Sequence, residues 1–305
     1  MMPKPAYAAE AYDLTGRVAL VTGATSGIGR VAAEALAAYG ATVLVVGRSP
    51  AKTSATVAEI SAATSSSRVV GLLADLSRQS EVRALVDEVR RRWPALHILV
   101  NNAGGVFAER IETADGIEQT WALNHLSYFL LTNLLLDALY AGGTPARAAR
   151  IVNVASSAHL RVRGLDFADL EKRQGYFSFG AYGQSKLANI MFTYELARRL
   201  AAAGRPVTAN AVHPGLVHTG FGGNNQNWLW RLAYVFINRL ALSPAQGADT
   251  LIYLAAAPEV EGVTGKYFVK RRPVASSRAS LDAAAARQLW AVSEQTVRLP
   301  ASNSL

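Results

Sequence analysis

Short apolar runs, each closed by a glycine or a polar turn and each followed by a segment of helical period, succeed one another along most of this chain. "RVALVTG" precedes "IGRVAAEALAAYG", "ATVLVVGR" precedes "SPAKTSATVAEISAA", and "RVVGLLADL" precedes "SEVRALVDEVRRRW". "LHILVNNAG" then leads into a long helix expected over about 115 to 140. The alternation continues through the strand "RIVNVAS", a helix containing "AYGQSKLANIMF", the strand "PVTANAVHPG", the helix "PAQGADTLIYLAAA" and a last strand "GKYFV". Strands that are apolar throughout must be covered on both faces, and parallel neighbours need a crossover that a helix supplies. The pattern predicts a single α/β domain, a doubly wound parallel sheet with helices on both faces.

No linker divides the chain. The domain is expected over 15–271, and residues 272–305 form a C-terminal extension containing a helix, "LDAAAARQLWAVSEQTV", to which no chemistry is assigned. Between the sixth strand and the next sheet helix lies an excursion at about 216–243, where "GFGGNNQN" is followed by "WLWRLAYVFINRLAL". Ligands of open α/β sheets bind outside the carboxyl ends of the strands, so this excursion is placed to act as a substrate lid.

Composition narrows the function classes. The 305 residues are 50% hydrophobic and 17% charged, and no apolar run reaches the roughly 18 to 20 residues of a bilayer span. Cysteine is absent, which excludes disulfides, thiolate catalysis and cysteine-ligated metals. The net charge of +9 is scattered through short arginine clusters, "VRRRW", "HLRVRG" and "VKRRP", and is read as a solvated surface with no nucleic-acid stripe. His125, His159, His213 and His218 fall on different elements without a matching acidic set, so no metal site is expected. The first residues lack the pattern of a secretory signal, and the expected location is the cytoplasm.

Two stretches carry the chemistry. "VTGATSGIGR" sets Gly23, Gly27 and Gly29 between the first strand and the first helix, where glycine lets the backbone approach a pyrophosphate at the helix N-terminus. At the end of the second strand Gly47 and Arg48 stand where an acid would hold an unmodified ribose; an arginine there can pair with a 2′-phosphate, so NADP(H) is expected in preference to NAD(H). Asp75, in "ADL", is placed either to accept from an adenine amino group or to cap a helix. In "AYGQSKLANIMF", Tyr182 and Lys186 are four residues apart and share one helix face, which makes a phenol and an ammonium neighbours.

With "ILVNNAGG", Asn124 in "ALNHLSYF", Ser156 in "IVNVASS" and "HPGLVHTG", these motifs in this order resemble the short-chain dehydrogenase/reductase family over about residues 15 to 270, and "RIVNVASSAH" with "AYGQSKLANIMFTYELARRL" resembles its retinol dehydrogenase-like branch. The resemblance implies a Rossmann-fold oxidoreductase acting on a nicotinamide cofactor. Tyr182 would be the acid/base and Lys186 would depress its pKa: a phenol near pKa 10 is about 3 units too high for neutral chemistry, a gap of roughly 4 kcal/mol. A cation at about 4 Å in an effective dielectric near 20 supplies about that much. Ser156 would donate to the substrate oxygen, with Ser157 as the competing assignment, and Asn124 would hold a water linking Lys186 to solvent.

The same resemblance implies cofactor contacts from Gly23, Thr25, Ser26, Gly27, Ile28, Gly29, Arg48, Asp75, Leu76, Asn102, Ala103, Gly104, Tyr182, Lys186, Pro214, Gly215, Val217 and Thr219. Trp228, Leu229, Trp230, Leu232, Tyr234, Val235 and Phe236 are too dense for one narrow helical stripe, which points to an apolar pocket and a small lipophilic substrate. A non-catalytic nucleotide-sensing or scaffold protein on the same fold is the alternative. Peripheral membrane contact through "WLWRLAYVF" and homo-oligomerisation are left open by the sequence.

Overall fold

The computed structural model describes residues 12–216 and 242–299. Eight strands form one sheet: β1 (Val18–Thr22), β2 (Thr42–Gly47), β3 (Val69–Leu73), β4 (Ile98–Asn101), β5 (Ala149–Val154), β6 (Val207–His213), β7 (Tyr267–Val269) and β8 (Arg272–Val274). Their order is β3-β2-β1-β4-β5-β6-β7-β8, parallel throughout except for β8, which runs antiparallel to β7. The helices are α1 (Gly27–Ala38), α2 (Pro50–Thr64), α3 (Gln79–Arg92), α4 (Gln119–Trp121), α5 (Ser127–Leu134), α6 (Leu136–Gly142), α7 (Ser178–Ala202), α8 (Pro244–Ala256) and α9 (Ala283–Val297). The strand order reverses between β1 and β4, and the crevice at such a reversal is where open sheets of this kind bind ligands.

Period-two alternation sorts the strand residues onto two cores. Leu20, Leu44, Leu99 and Ile151 face α3, α5, α7 and α9. Val21, Val43, Val45, Val100 and Val152 face α1 and α8, whose alanines let the two helices pack against each other. The one strong charge on β5 is also accommodated: buried Arg150 donates to the carbonyls of Ala257 (2.7 Å) and Leu254 (3.4 Å) at the C-terminal end of α8 and pairs with Glu261 at 2.8 Å. A cation at that end complements the helix dipole.

Two elements differ from the sequence reading. The helix expected over about 115 to 140 begins at Gln119, because the Glu118 carboxylate caps it by accepting from the amides of Thr120 and Trp121, both at 2.7 Å. It then passes through a π-helical turn, Ala122–Leu126, and breaks at Leu135 before α6. β8 was not expected. Lys270 and Arg271 both take positive φ (51° and 61°), the requirement of a two-residue hairpin turn that asparagine and glycine usually meet, so the local signal was missing.

The extension packs on the helical layer above α5 and α7. Trp290 of α9 is 1% exposed, with its ring 5.0 Å from Phe129 and 5.7 Å from Phe192 and the Arg199 guanidinium 4.2 Å from its centroid. Among the described residues no helix is long and apolar enough to cross a membrane. Trp290→Ala is expected to lower the free energy of unfolding by about 3 to 5 kcal/mol, the range for a large buried aromatic, as read by denaturant titration; a loss under about 1 kcal/mol would mean that α9 is not docked in this way.

Candidate active site

Between β1 and α1 the chain must turn tightly, and Gly23 (φ 63°) and Gly27 (φ 56°) occupy the left-handed region there. Their partner is the end of β4. Asn102 donates from its side chain to the carbonyls of Thr22 (2.8 Å) and Gly23 (3.3 Å), while the Thr22 hydroxyl accepts from the amides of Asn102 (2.8 Å) and Ala103 (3.0 Å). A Cβ at Gly29 would stand 2.3 Å from Asn102 Nδ2 and 2.6 Å from the Gly23 carbonyl oxygen, and one at Gly23 would stand 2.9 Å from Ala103 Cα. The glycines thus let two loops close on each other at the strand reversal, leaving the N-terminus of α1 open. Ser26 there is exposed and its hydroxyl caps nothing on α1.

Around this cradle Thr25 lies over the end of β2, where a Cβ at Gly47 would come within 2.5 Å of its Cγ2. Arg48 follows, exposed and without an ion-pair partner among the described residues. Asp75 uses Oδ1 to accept from the Ser77 amide (3.0 Å) and hydroxyl (2.7 Å), and its own amide donates to Glu81 at 2.7 Å. Ile28 and Leu76 are buried in the two cores. These residues fit a nicotinamide dinucleotide: a backbone cradle that a side chain would fill and an open helix N-terminus, with an exposed guanidinium at the end of β2.

The second cluster hangs from the C-terminal end of β5. Lys186, 2% exposed, donates to the Val154 carbonyl at 2.9 Å, and its Nζ lies 5.7 Å from the Tyr182 ring centroid and 5.5 Å from that of buried Tyr128. Ser156 follows β5, and its hydroxyl hydrogen-bonds the Tyr182 phenol; Ser157 is exposed. Asn124, in the π turn, accepts from the Gly105 amide (2.8 Å) and donates to the Gly105 carbonyl and the Ser185 hydroxyl, both at 3.0 Å. A Cβ at Gly104 would lie 3.1 Å from Asn124 Oδ1 and 3.6 Å from Lys186 Nζ, so the cofactor-side loop meets the lysine there. Pro214 and Gly215 (φ 89°) follow β6, and the Leu242 amide donates to the Leu216 carbonyl at 2.7 Å, closing the base of the 216–243 excursion. Val217, Thr219, His218 and the aromatic stretch 228–236 lie outside the described residues.

Several supports were missed by sequence reasoning. Asn189 donates to the carbonyls of Asn124 (2.8 Å) and Val154 (3.4 Å). Asn101 donates to Asn153 (2.8 Å) across β4 and β5, and Asn153 donates to Thr193 (2.9 Å) on α7. Asn189 and Thr193 had a readable signal, since each is a polar residue in a helix segment otherwise apolar and small. A cleft of about 580 Å³ among the described residues lies elsewhere, between α7, β7, β8 and the start of α9, and its lining on α7 begins at Tyr194, about two turns beyond Lys186.

Burial sets the electrostatics. It pushes the Tyr182 phenol up to about 12, against a smaller opposing effect of the Ser156 hydrogen bond, and pulls the Lys186 ammonium down to about 7. The expected lowering of the phenol by the lysine is therefore absent in the chain alone. Desolvation outweighs attraction when both groups are out of water.

A sequence profile described as short chain dehydrogenase matches residues 17–230. Human polyprenol dehydrogenase is 40% identical over 278 residues, 91% of this chain and 84% of that protein. Mouse retinol dehydrogenase 12 is 41% identical over 284 residues, 92% and 86% of the two chains. Among solved structures, the Pseudomonas aeruginosa RhlG/NADP active-site complex superposes with a TM-score of 0.67 at 27% identity, covering 85% of this chain and 96% of that one.

Because Lys186 sits near 7 when folded and at 10.5 when free, the unfolded chain binds more protons between those values, and stability should rise with pH across that window. The depressed histidines, His97 and His213 near 4 and His125 near 3, act below it, and the raised tyrosines act above 10. Lys186→Met should flatten the rise between about 7 and 10.5 in cofactor-free protein and raise the thermal midpoint at pH 7. An unchanged slope would show that the lysine is not buried as a cation.

Proposed function

Because the chain belongs to the short chain dehydrogenase family, we propose that it is an NADP-dependent oxidoreductase of a lipophilic carbonyl or alcohol, a retinoid-like, long-chain or ring ketone or aldehyde. The observation that carries the redox reading is the set at the end of β5: Ser156 bonded to Tyr182, with buried Lys186 on the same face of α7. A nucleotide sensor would have no need to bury a lysine beside a phenol, and the scaffold alternative is not favoured.

In this reading the crevice would hold NADP(H), which would supply hydride-transfer chemistry to a substrate carbonyl or carbinol carbon. Tyr182 gives or takes the proton at the substrate oxygen, and Ser156 donates a hydrogen bond to that oxygen. Lys186 would hold the nicotinamide ribose hydroxyls, and its charge would favour the tyrosinate whenever the phenol has given up its proton. Asn124 keeps the Gly104–Gly105 loop against α7. Gly23, Thr25, Ser26, Gly27, Ile28 and Gly29 would cradle the pyrophosphate, Arg48 would take the 2′-phosphate, and Asp75 and Leu76 would meet the adenine. Asn102, Ala103 and Gly104, with Pro214 and Gly215, would meet the nicotinamide end, and Val217 and Thr219, outside the described residues, are assigned to the same end from the sequence.

Two things support the lipophilic substrate. Relatives at about 40% identity are named polyprenol and retinol dehydrogenases. The segments beside the reacting groups also carry exposed apolar side chains: Leu160 (62%) after Ser156, Phe177 (64%) and Phe179 (39%) before Tyr182, and Leu216 (56%) after Gly215. Exposed apolar residues gathered on the flanks of one site suit an apolar ligand.

Arg48→Asp should weaken NADP(H) by about 1.5 to 3 kcal/mol, the worth of a charge-assisted pair, and bring NAD(H) to equal or tighter binding. Equal ratios of the two affinities in both proteins, measured by fluorescence titration, would remove Arg48 from the cofactor site.

The reaction itself is tested with straight-chain aldehydes from butanal to dodecanal, read by NADPH absorbance. Each buried methylene should raise kcat/KM by up to about 0.8 kcal/mol, roughly fourfold, until the pocket is full. Tyr182→Phe should bind NADPH normally and lose nearly all turnover along the whole series. A flat series rejects the apolar pocket, and near-normal turnover by the phenylalanine variant rejects the acid/base assignment.

A further inference from the structure

Two fully buried histidines, neither among the reacting groups, join the C-terminal extension to the residues that hold the site. His159 stands three residues after Ser156, with Nδ1 2.6 Å from the Ser156 carbonyl oxygen. Its other nitrogen, Nε2, accepts from the amide of Ser277, just before the turn that leads to α9, at 3.1 Å. An amide can only donate, so Nε2 carries the lone pair and the ring proton is on Nδ1, where it is donated to the Ser156 carbonyl. Tyr267 closes the edge of the ring at 5.1 Å between centroids.

His125 makes a second such link to the extension. The Asn189 amide nitrogen is spent on the carbonyls of Asn124 and Val154, which leaves Oδ1 of Asn189 to accept from His125 Nδ1 at 3.4 Å. His125 Nε2 is then the acceptor for the hydroxyl of Ser293 on α9, at 3.0 Å. The Val154 carbonyl at the end of this path is the one that anchors Lys186. In both cases a neutral ring receives a hydrogen bond from the extension and donates one toward a reacting group, His159 directly to the Ser156 carbonyl and His125 to the Asn189 side chain, whose amide nitrogen reaches the Val154 carbonyl. A ring with both partners satisfied is a spacer of fixed length, and displacing either end leaves a buried polar group unpaired.

The geometry points to the extension as a brace of the active site, with His159 and His125 as positioning residues that fix Ser156 and Lys186 respectively. This rests on the reading of Ser156, Tyr182 and Lys186 as the reacting groups. Positioning of this kind acts on the rate of the chemical step more than on cofactor affinity, because a misplacement of about 1 Å costs up to about a hundredfold in rate.

The test uses the full chain with NADPH and decanal. His159→Leu, close in volume but unable to bond either partner, should lower kcat by about tenfold or more, with the KM for NADPH changed less than about twofold. His159→Asn, whose side-chain amide can donate where Nδ1 does, should recover most of that loss. In a Ser156→Ala background, His159→Leu should cost nothing further, since there is no hydroxyl left to place; a merely structural histidine would lower both backgrounds alike. Ser293→Ala should move the pH midpoint of kcat through the displaced lysine. Deuterium uptake at the Ser277 amide, which needs no turnover, should rise in His159→Leu. Equal losses with and without Ser156, an unchanged pH midpoint in Ser293→Ala or unchanged Ser277 protection overturns the brace. Absence of NADPH oxidation by the wild type with decanal, with Ser277 exchange responding as expected, overturns the functional reading and leaves the strut standing.

Discussion

A lysine ammonium held against the last carbonyl of β5, out of contact with water, is the constraint around which this end of the molecule is arranged. A buried charge is tolerated only where its surroundings are polar and fixed. The surroundings here are amide side chains: Asn189 shares the Val154 carbonyl with the lysine, and Asn124 ties the Gly104–Gly105 loop to Ser185 one position before it. Asn101 and Asn153 sit side by side in the register of β4 and β5 and carry the polar network down to Thr132 and Thr193. Burial pulls the Lys186 ammonium down, so its charged form carries a desolvation cost that these polar groups offset in part.

The opposite side of the site obeys different physics. The cofactor cradle depends on the absence of side chains, since Gly23 and Gly29 admit the end of β4 to distances no Cβ could share, and Asn102 then fastens the two loops through backbone carbonyls. Steric fit of this kind is local. It needs only the residues of two adjacent loops, which lie at the strand reversal because the sheet order brings β1 and β4 together. Gly104 is the point of contact between the two regimes, flanked by Asn124 and Lys186.

That difference explains what could be read from the sequence. Apolar runs with intervening helical periods gave the sheet and both its covering layers, because burial on two faces leaves a periodic trace in each segment separately. The glycine turn, Asn102, Ser156, Tyr182 and Lys186 were legible as motifs, each short and contiguous. The long helix was misread at both its start and its middle. Glu118 as a cap and the π turn at Ala122–Leu126 depend on how the Thr113–Gly116 turn enters the helix and on Asn124 reaching across to Gly105 and Ser185. Strand β8 was hidden by a turn built from Lys270 and Arg271, and the docking of α9 by contacts between residues more than ninety positions apart. The four histidines, sorted by sequence into a rejected metal site, gave no sign that two of them face the extension.

A physical reason for attaching the extension to the site follows from the same lysine. Amide networks hold a charge well only if each member is kept in one rotamer, and the members on α7 and in the π turn belong to helices that would otherwise present an apolar face to solvent: Phe129, Phe192 and Leu196 all lie in the core that α9 covers. Closing that face with Trp290 and its neighbours is hydrophobic burial of an ordinary kind, yet it also places Ser293 where His125 can use it. The apolar docking fixes the position of α9 without regard to chemistry, and the hydrogen bonds then transmit that position to Asn189 and Val154 with little slack. Stability and placement of the reacting groups are in this way drawn from one contact surface, so changes on the outer face of α7 should be felt at a lysine they do not touch.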